Sequence, residues 1–297
     1  MVNAFNYVVP ESVEEVTILL ARNGPQARIF AGGTDLLTQI RENRRKVDLM
    51  IDIKQVPELN ELSYNPVEGL TIGAAVSCLR LWNNPAIITH YPGLVDAFTL
   101  IGGIQIQGRA TIGGNLVNAS PAADSIPALI VHEAQCVIVG LSGVRTVPVE
   151  SFCRAPGQTV LEKDEFLIQL RVKPPTNGSG AHYLRFIPRN EMDIAVVGAA
   201  ASVVLNDDRT HFMSARVALG AVAPIPLYIR EIGEFLAGQP VSEAVIDQAA
   251  QIAAQAATPI SDVRGTAAQR KHLAAVLTRR ALKAASERAQ QRPMETL

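Results

Sequence analysis

Two glycine-rich segments constrain the fold of this chain more than any other feature of its sequence. The first reads Ala31-Gly32-Gly33-Thr34-Asp35 and follows a short apolar run at 27–30, which predicts a strand. The spacing in LLTQIREN predicts a helix directly after it, and a second apolar run at 49–53 predicts another strand. Ser12 and Glu15 have capping-box spacing, which predicts an earlier helix over VTILLAR. The first 60 residues therefore form a βαβ-like unit.

The first segment is suited to binding an anion. A glycine turn before a helix exposes backbone NH groups that the helix cannot use, and they converge with the positive end of the helix dipole. Glycine also allows positive φ angles and close approach of a phosphate to the backbone. A turn of this kind on its own is more often a simple helix start, with Thr34 or Asp35 as the cap.

The second segment, Thr111-Ile112-Gly113-Gly114-Asn115, is preceded by Ile101-Gly102-Gly103 and followed by a polar stretch at 118–124. Its glycines, hydroxyls, amides and single acid suit a long polar ligand. Asp124 suits the hydroxyl groups of a ribose or ribityl chain. Neither segment has the GxGxxG or GxxxxGK[ST] pattern, so a different nucleotide-binding fold is required.

The rest of the chain divides where the pattern of apolar runs and turn residues changes. From about residue 61, short apolar runs broken by turn residues predict a mixed α+β unit, and PPTNGSG at 174–180 is the clearest boundary. Apolar runs then predict three strands, at 182–186, 194–205 and 212–221, and two helices, at about 242–257 and 266–289. We therefore predict domains at 1–60, 61–176 and 177–297.

Composition excludes several classes of function. The chain has 27 Lys and Arg against 28 Asp and Glu, so neither nucleic acid nor an anionic membrane is an expected partner. The longest apolar run is shorter than the ~18 to 20 residues of a membrane helix. Three cysteines without CxxC spacing and five scattered histidines predict no metal site and a reducing compartment. GxSxG and HExxH are absent, and no side chain stands out as catalytic.

The sequence resembles the flavin-binding medium subunit of molybdenum hydroxylases. This family includes the flavoproteins of carbon monoxide dehydrogenase and 4-hydroxybenzoyl-CoA reductase and the central domain of xanthine dehydrogenase. The resemblance runs nearly end to end, and it is carried by Phe5-Asn6-Tyr7 with Pro10, AGGTDLL at 31–37, TIGGNLVNASPAADSIPAL at 111–129, Arg189 with Met192-Asp193-Ile194-Ala195, and Ser261-Asp262-Val263-Arg264-Gly265.

The resemblance implies an α+β chain with a PCMH-type FAD-binding fold. That fold has two α/β subdomains, followed here by a C-terminal domain of antiparallel sheet plus helices. Because no His or Cys adjoins the first glycine pair, FAD is expected to be held noncovalently. The implied cofactor-binding residues are Ala31, Gly32, Gly33, Thr34, Asp35 and Leu36 at the pyrophosphate, Ile101 at the isoalloxazine ring, and Thr111, Gly114, Asn115, Ser120, Asp124, Leu167 and Arg185. One departure is Gln107-Gly108-Arg109, where many relatives have an Arg-Asn pair.

The implied function is electron transfer in a cytoplasmic complex. The FAD subunit would exchange electrons with a small subunit that carries [2Fe-2S] clusters, while a large subunit holds the molybdenum cofactor. The expected assembly is a dimer of heterotrimers. Two alternatives remain open: a free-standing FAD-dependent oxidoreductase and a nucleotide-binding scaffold without redox chemistry.

Overall fold

The computed structural model describes residues 4–189 and 192–291 of the 297-residue chain. Its strands form sheets of three, five and four strands and a two-stranded ribbon. The three larger sheets follow one another along the chain.

The first sheet is parallel and carries the first glycine segment at one edge. Its elements are β1 (Asn6–Val8), α1 (Val13–Asn23), β2 (Ala27–Phe30), α2 (Leu36–Arg41) and β3 (Leu49–Asp52). Strand β3 lies between β1 and β2. The Ser12 hydroxyl accepts a hydrogen bond from the Glu15 amide at 3.2 Å, so α1 begins where the capping box predicts. The strand, glycine turn, helix and strand are present as predicted, and β1 is an additional strand.

The second sheet is antiparallel, and the helices inserted between two of its strands carry the second glycine segment. Its region contains β4 (Leu62–Asn65), β5 (Gly69–Gly73), β6 (Gln135–Gly140), β7 (Gly143–Pro148), β8 (Cys153–Ala155), β9 (Gln158–Thr159) and β10 (Phe166–Val172). The sheet order is β4-β5-β10-β6-β7, with β8 and β9 forming the ribbon. Six short helices separate β5 from β6: α3 (Cys78–Trp82), α4 (Pro85–His90), α5 (Pro92–Phe98), α6 (Ile104–Gln107), α7 (Ile112–Val117) and α8 (Ser125–Val131).

The third sheet is an antiparallel meander covered by helices. Its elements are β11 (Ser179–Phe186), β12 (Val197–Leu205), β13 (Phe212–Gly220), β14 (Leu227–Tyr228), α9 (Arg230–Leu236), α10 (Glu243–Ala256) and α11 (Ala267–Gln291). Strand β12 begins at Val197, so the predicted start at 194 was wrong: Ile194 is half-exposed and lies outside the strand ladder. Helix α9 was not predicted. It is only seven residues long and contains Gly233, where a Cβ atom would lie 2.5 Å from the Ala215 carbonyl oxygen.

The buried side chains form two main clusters. One joins the first two sheets and extends to Tyr183 on β11, and the other lies between the third sheet and helices α9 to α11. The first two predicted domains thus share one core, and the segment at 173–178 connects it to the third sheet. The proposed boundaries at 60/61 and 176/177 stay predictions. Over the described residues, no helix has the length and apolar character needed to span a membrane.

Candidate functional site

The two glycine segments line one cleft of about 450 Å³. Eleven of the fourteen predicted cofactor-binding residues lie in its wall: Ala31, Gly32, Gly33, Thr34, Asp35, Leu36, Ile101, Thr111, Gly114, Asn115 and Leu167. The other three, Ser120, Asp124 and Arg185, are not part of the wall. A cleft of this size is typical of sites for small molecules and cofactors.

The first segment presents a set of unused backbone donors. Within the described residues, none of the amides of 32–36 donates a hydrogen bond to another protein group. Asp35 occupies the N-cap position of α2, but its side chain makes no capping hydrogen bond. The segment is therefore not merely a capped helix start, because its donors remain available for an anion.

Each glycine of the first pair is required for a different reason. Gly33 has φ +78°, and a Cβ atom there would lie 2.3 Å from Cε2 of Phe30. A Cβ atom on Gly32 would lie 2.1 Å from the carbonyl oxygen of Arg109. Gly33 therefore shapes the turn, whereas Gly32 lets the first segment approach the backbone just before the second segment.

The second segment uses its polar groups mainly within the protein. The Thr111 hydroxyl accepts a hydrogen bond from the Gly114 amide at 3.0 Å and caps α7. The Asn115 Oδ1 atom accepts a hydrogen bond from the Ser125 hydroxyl at 2.5 Å. A Cβ atom on Gly113 would lie 2.5 Å from the Ala74 carbonyl oxygen, so this glycine permits close packing onto the second sheet.

The Gln107 side chain forms a buried amide next to the cleft. The Gln107 side chain is 3% exposed, and its Nε2 atom donates to the carbonyl oxygens of Thr99 at 2.8 Å and Ile101 at 3.3 Å. Its Oε1 atom accepts from Trp82 Nε1 at 3.0 Å. Gln107 thus fixes the backbone at Ile101, which lines the cleft. The sequence alone did not reveal this role, because it does not show that the helices bearing Trp82, Thr99 and Gln107 pack around one buried amide.

Two arginines add positive charge to the cleft. Arg28 and Arg45 both lie in its wall, and among the described residues neither forms an ion pair with a carboxylate. The pKa of Arg28 is lowered, mainly by burial and also by the charge of Arg45. The prediction missed both, although Arg28 is only three residues before the first segment. In contrast, Glu165 in the same wall is neutralised by Arg145, whose Nη2 atom lies 2.6 Å from Oε2.

Asp124 and Arg185, both predicted to contact the cofactor, contact each other. Arg185 Nη1 lies 2.5 Å from Asp124 Oδ2, and the Tyr183 hydroxyl donates to Asp124 Oδ1 at 2.7 Å. Burial raises the pKa of Asp124 to about 6, although Arg185 and Tyr183 both oppose the shift. The part of the chain that the structure describes contains no cluster of His, Cys, Asp or Glu suited to a metal ion.

Comparison with known proteins agrees with this architecture. Residues 3–175 match the family described as the FAD binding domain in molybdopterin dehydrogenase, and residues 182–285 match the C-terminal domain of the CO dehydrogenase flavoprotein. A putative xanthine dehydrogenase FAD-binding subunit of Escherichia coli (strain K12) is 32% identical over 89% of this chain and 90% of its own length. The carbon monoxide dehydrogenase medium chain of Hydrogenophaga pseudoflava is 34% identical over 95% of this chain and 96% of its own.

A solved structure extends the match to three dimensions. It is a carbon monoxide dehydrogenase from Hydrogenophaga pseudoflava that lacks the Mo-pyranopterin moiety of the molybdenum cofactor, and it superimposes with a TM-score of 0.92 at 30% identity. The match covers 97% of this chain and 99% of that one. The predicted fold class, an FAD-binding fold followed by a C-terminal domain of sheet and helices, is confirmed. The chain belongs to the family of FAD-binding subunits of molybdenum hydroxylases.

Proposed function

We propose that this chain binds FAD noncovalently in the cleft between its two glycine segments and transfers electrons within a molybdenum hydroxylase complex. The observation that carries the proposal is the row of unused amides at 32–36, which shares a cleft with Arg28 and Arg45. Backbone donors and positive charge together suit the pyrophosphate of a dinucleotide. Membership of the family supports FAD as that dinucleotide.

The first segment would hold the pyrophosphate. Its amides at 32–36 would donate to the phosphate oxygens, and the positive φ angle of Gly33 would keep the turn in the shape that presents them. Ala31 borders these donors, and Thr34, Asp35 and Leu36 are proposed to contribute through their backbone.

Aliphatic side chains would hold the flavin ring. Ile101 and Leu167 are both buried and both line the cleft, so they offer an apolar surface for an aromatic ring system. Thr111, Gly114 and Asn115 line the same cleft and would face the polar chain of the cofactor. Ser120, Asp124 and Arg185 are proposed contacts on the family resemblance alone.

The cleft wall also supports noncovalent attachment. Its lining residues include no histidine or cysteine among those described. The chain's own residues would therefore bind and orient the cofactor and shield one region of it from water, without forming a bond to it.

The function follows from the chemistry that the cofactor supplies. Bound FAD exchanges electrons singly or in pairs, so it can link one-electron iron–sulfur carriers to two-electron donors or acceptors. Relatives of this chain are medium chains of carbon monoxide dehydrogenases. We propose a large subunit with the molybdenum cofactor and a small subunit with [2Fe-2S] clusters as partners, assembled as a dimer of heterotrimers in the cytoplasm.

Purification of the chain from its native source tests this proposal. The expected preparation is a yellow complex that contains molybdenum, iron and unmodified FAD, with the flavin released on denaturation. A lone flavoprotein with its own substrate turnover would support a free-standing oxidoreductase. A colourless protein that cannot be reconstituted with FAD would overturn the proposal.

A further inference from the structure

The C-terminal domain reaches the loop that follows the second glycine segment, at 118–124, through two neighbouring side chains of β11. Tyr183 and Arg185 are two residues apart on the strand and therefore lie on one face of it. Both contact the Asp124 carboxylate, one on each oxygen. All three side chains are buried: Tyr183 is 2% exposed, and the side chains of Arg185 and Asp124 are 5% and 9% exposed.

The neighbouring strands leave space for this contact. Gly198 on β12 pairs with Arg185, and a Cβ atom at Gly198 would lie 2.5 Å from the Tyr183 hydroxyl oxygen. The end of β13 holds the same loop, since the Ala221 amide donates to the Pro121 carbonyl at 2.7 Å. Two strands of the C-terminal domain thus hold the loop at 118–124 through hydrogen bonds.

A short path leads from this loop to the cleft. Asp124 is followed by Ser125, whose hydroxyl donates to Asn115 Oδ1 at 2.5 Å, and Asn115 lines the cleft. Movement of Asp124 would therefore move a side chain in the cleft wall, although Tyr183 does not itself line the cleft.

We propose that Tyr183 is a positioning residue for the FAD site, which holds Asp124, and through Ser125 the second glycine segment, in the geometry that binds the cofactor. The proposal rests on the proposed function above. It assigns to the C-terminal domain a contribution to FAD affinity that is separate from its contribution to folding.

The electrostatics of the contact make this role measurable. The charged and titratable groups that act on Asp124 are Arg185 and Tyr183. Both favour the carboxylate, against burial, which raises its pKa. Loss of the Tyr183 hydroxyl would raise the pKa of Asp124 further. FAD affinity in the variant should therefore begin to fall at a higher pH than in the parent protein.

A second ion pair between the same domains supplies a matched control. Glu150, which follows β7, forms ion pairs with Arg216 on β13 and with Arg230 on α9. Neither Glu150 nor these two arginines line the FAD cleft. The control pair thus joins the same domains, and among the described residues it shares no hydrogen bond with Tyr183 or Asp124.

The test compares Tyr183→Phe with Glu150→Gln in the full chain, freed of flavin and titrated with FAD. Flavin fluorescence measures the Kd from about pH 5 to about pH 8, on both sides of the pKa of Asp124. Tyr183→Phe should raise the Kd about tenfold near pH 6 and less at the alkaline end, and it should also lower the Tm, because buried Asp124 Oδ1 loses its donor. Glu150→Gln should lower the Tm and leave the Kd unchanged.

Two results would overturn the inference. One is a Kd for Tyr183→Phe that matches the parent protein at every pH. The other is an equal rise in Kd for both variants, which would mean that docking of the domains in general, rather than Tyr183, sets the affinity. Failure of the parent chain to bind FAD would instead contradict the proposed function, so the two failures are distinguishable.

Discussion

The two glycine segments have similar composition, but they differ in the hydrogen bonds that their backbone amides donate. In the first, the amides of 32–36 have no acceptor within the described residues, and Gly33 has a positive φ angle. In the second, the amide of Gly114 already donates to Thr111, and Gly113 serves to pack against Ala74. The first segment is organised to receive a ligand and the second to support the wall that faces it.

This difference shows that a glycine pair does not by itself indicate a phosphate site. What separates the segments is whether a side chain at the helix start accepts a hydrogen bond from one of these amides. Asp35 does not cap α2, whereas Thr111 caps α7. Substitutions in the two segments should therefore have different consequences.

Gly33→Val should have the largest effect. The residue would have to adopt φ +78°, at a cost of about 1–2 kcal/mol, and its Cβ atom would overlap the Phe30 ring. The turn would change shape, and we expect FAD affinity to fall about 100-fold or more in a fluorescence titration. Gly238→Val is the control, since Gly238 has the same φ but open space around it. Equal FAD affinity in the Gly33 variant and the parent would contradict the placement of the pyrophosphate.

Gly32→Ala should have the next largest effect, and on both segments together. A methyl group there would meet the Arg109 carbonyl oxygen at 2.1 Å, and backbone atoms cannot yield as a flexible side chain can. The segments would separate, so we expect about a tenfold rise in the Kd for FAD together with a lower Tm. Gly108→Ala, whose Cβ atom would meet only Leu79 Cδ2 at 3.9 Å, should change neither. A normal Tm for Gly32→Ala would show that the first segment does not pack against the backbone at Arg109.

Gln107→Leu should destabilise the folded protein, because it leaves buried polar groups without hydrogen-bond partners. The carbonyl oxygens of Thr99 and Ile101 would lose their donor and Trp82 its acceptor, at a cost of about 1–3 kcal/mol in the free energy of unfolding. Urea denaturation measures the change, with Gln105→Leu on the exposed side of α6 as the control. If the two variants unfold alike, Gln107 does not fix the backbone at Ile101.

Thr111→Val should have the smallest effect of the four. It removes the cap of α7 and so costs about 1 kcal/mol in the free energy of unfolding, whereas Thr111→Ser should retain the cap and the stability. Because Thr111 belongs to the second glycine segment, which supports the cleft wall, we expect FAD affinity to change far less than in Gly33→Val. A loss of affinity as large as that of Gly33→Val would reverse the assignment of roles to the segments.

Local patterns predicted the local structure well. The capping box at Ser12 predicted α1, and the first glycine segment lies between β2 and α2 as its flanking pattern indicated. These features depend on contacts between residues close in sequence. The family resemblance placed eleven residues that line the cleft, which no single pattern could have brought together.

Contacts between different elements were missed, because local sequence patterns do not show which elements pack together. Tyr183 is 59 residues from Asp124, and nothing in its sequence neighbourhood indicates a buried carboxylate as its partner. Gln107 looked like a departure from the family, yet its burial among three partners shows a structural role. Polar contacts that depend on how separate elements pack need the fold before they can be seen.

The most direct test of the account is to titrate the flavin-free chain with FAD and with riboflavin, which has the same ring but no phosphate. The unused amides at 32–36 and the two arginines of the cleft predict saturable binding of equimolar FAD and much weaker binding of riboflavin. Equal affinity for both, or no binding of FAD, would contradict the claim that the two glycine segments form one FAD site.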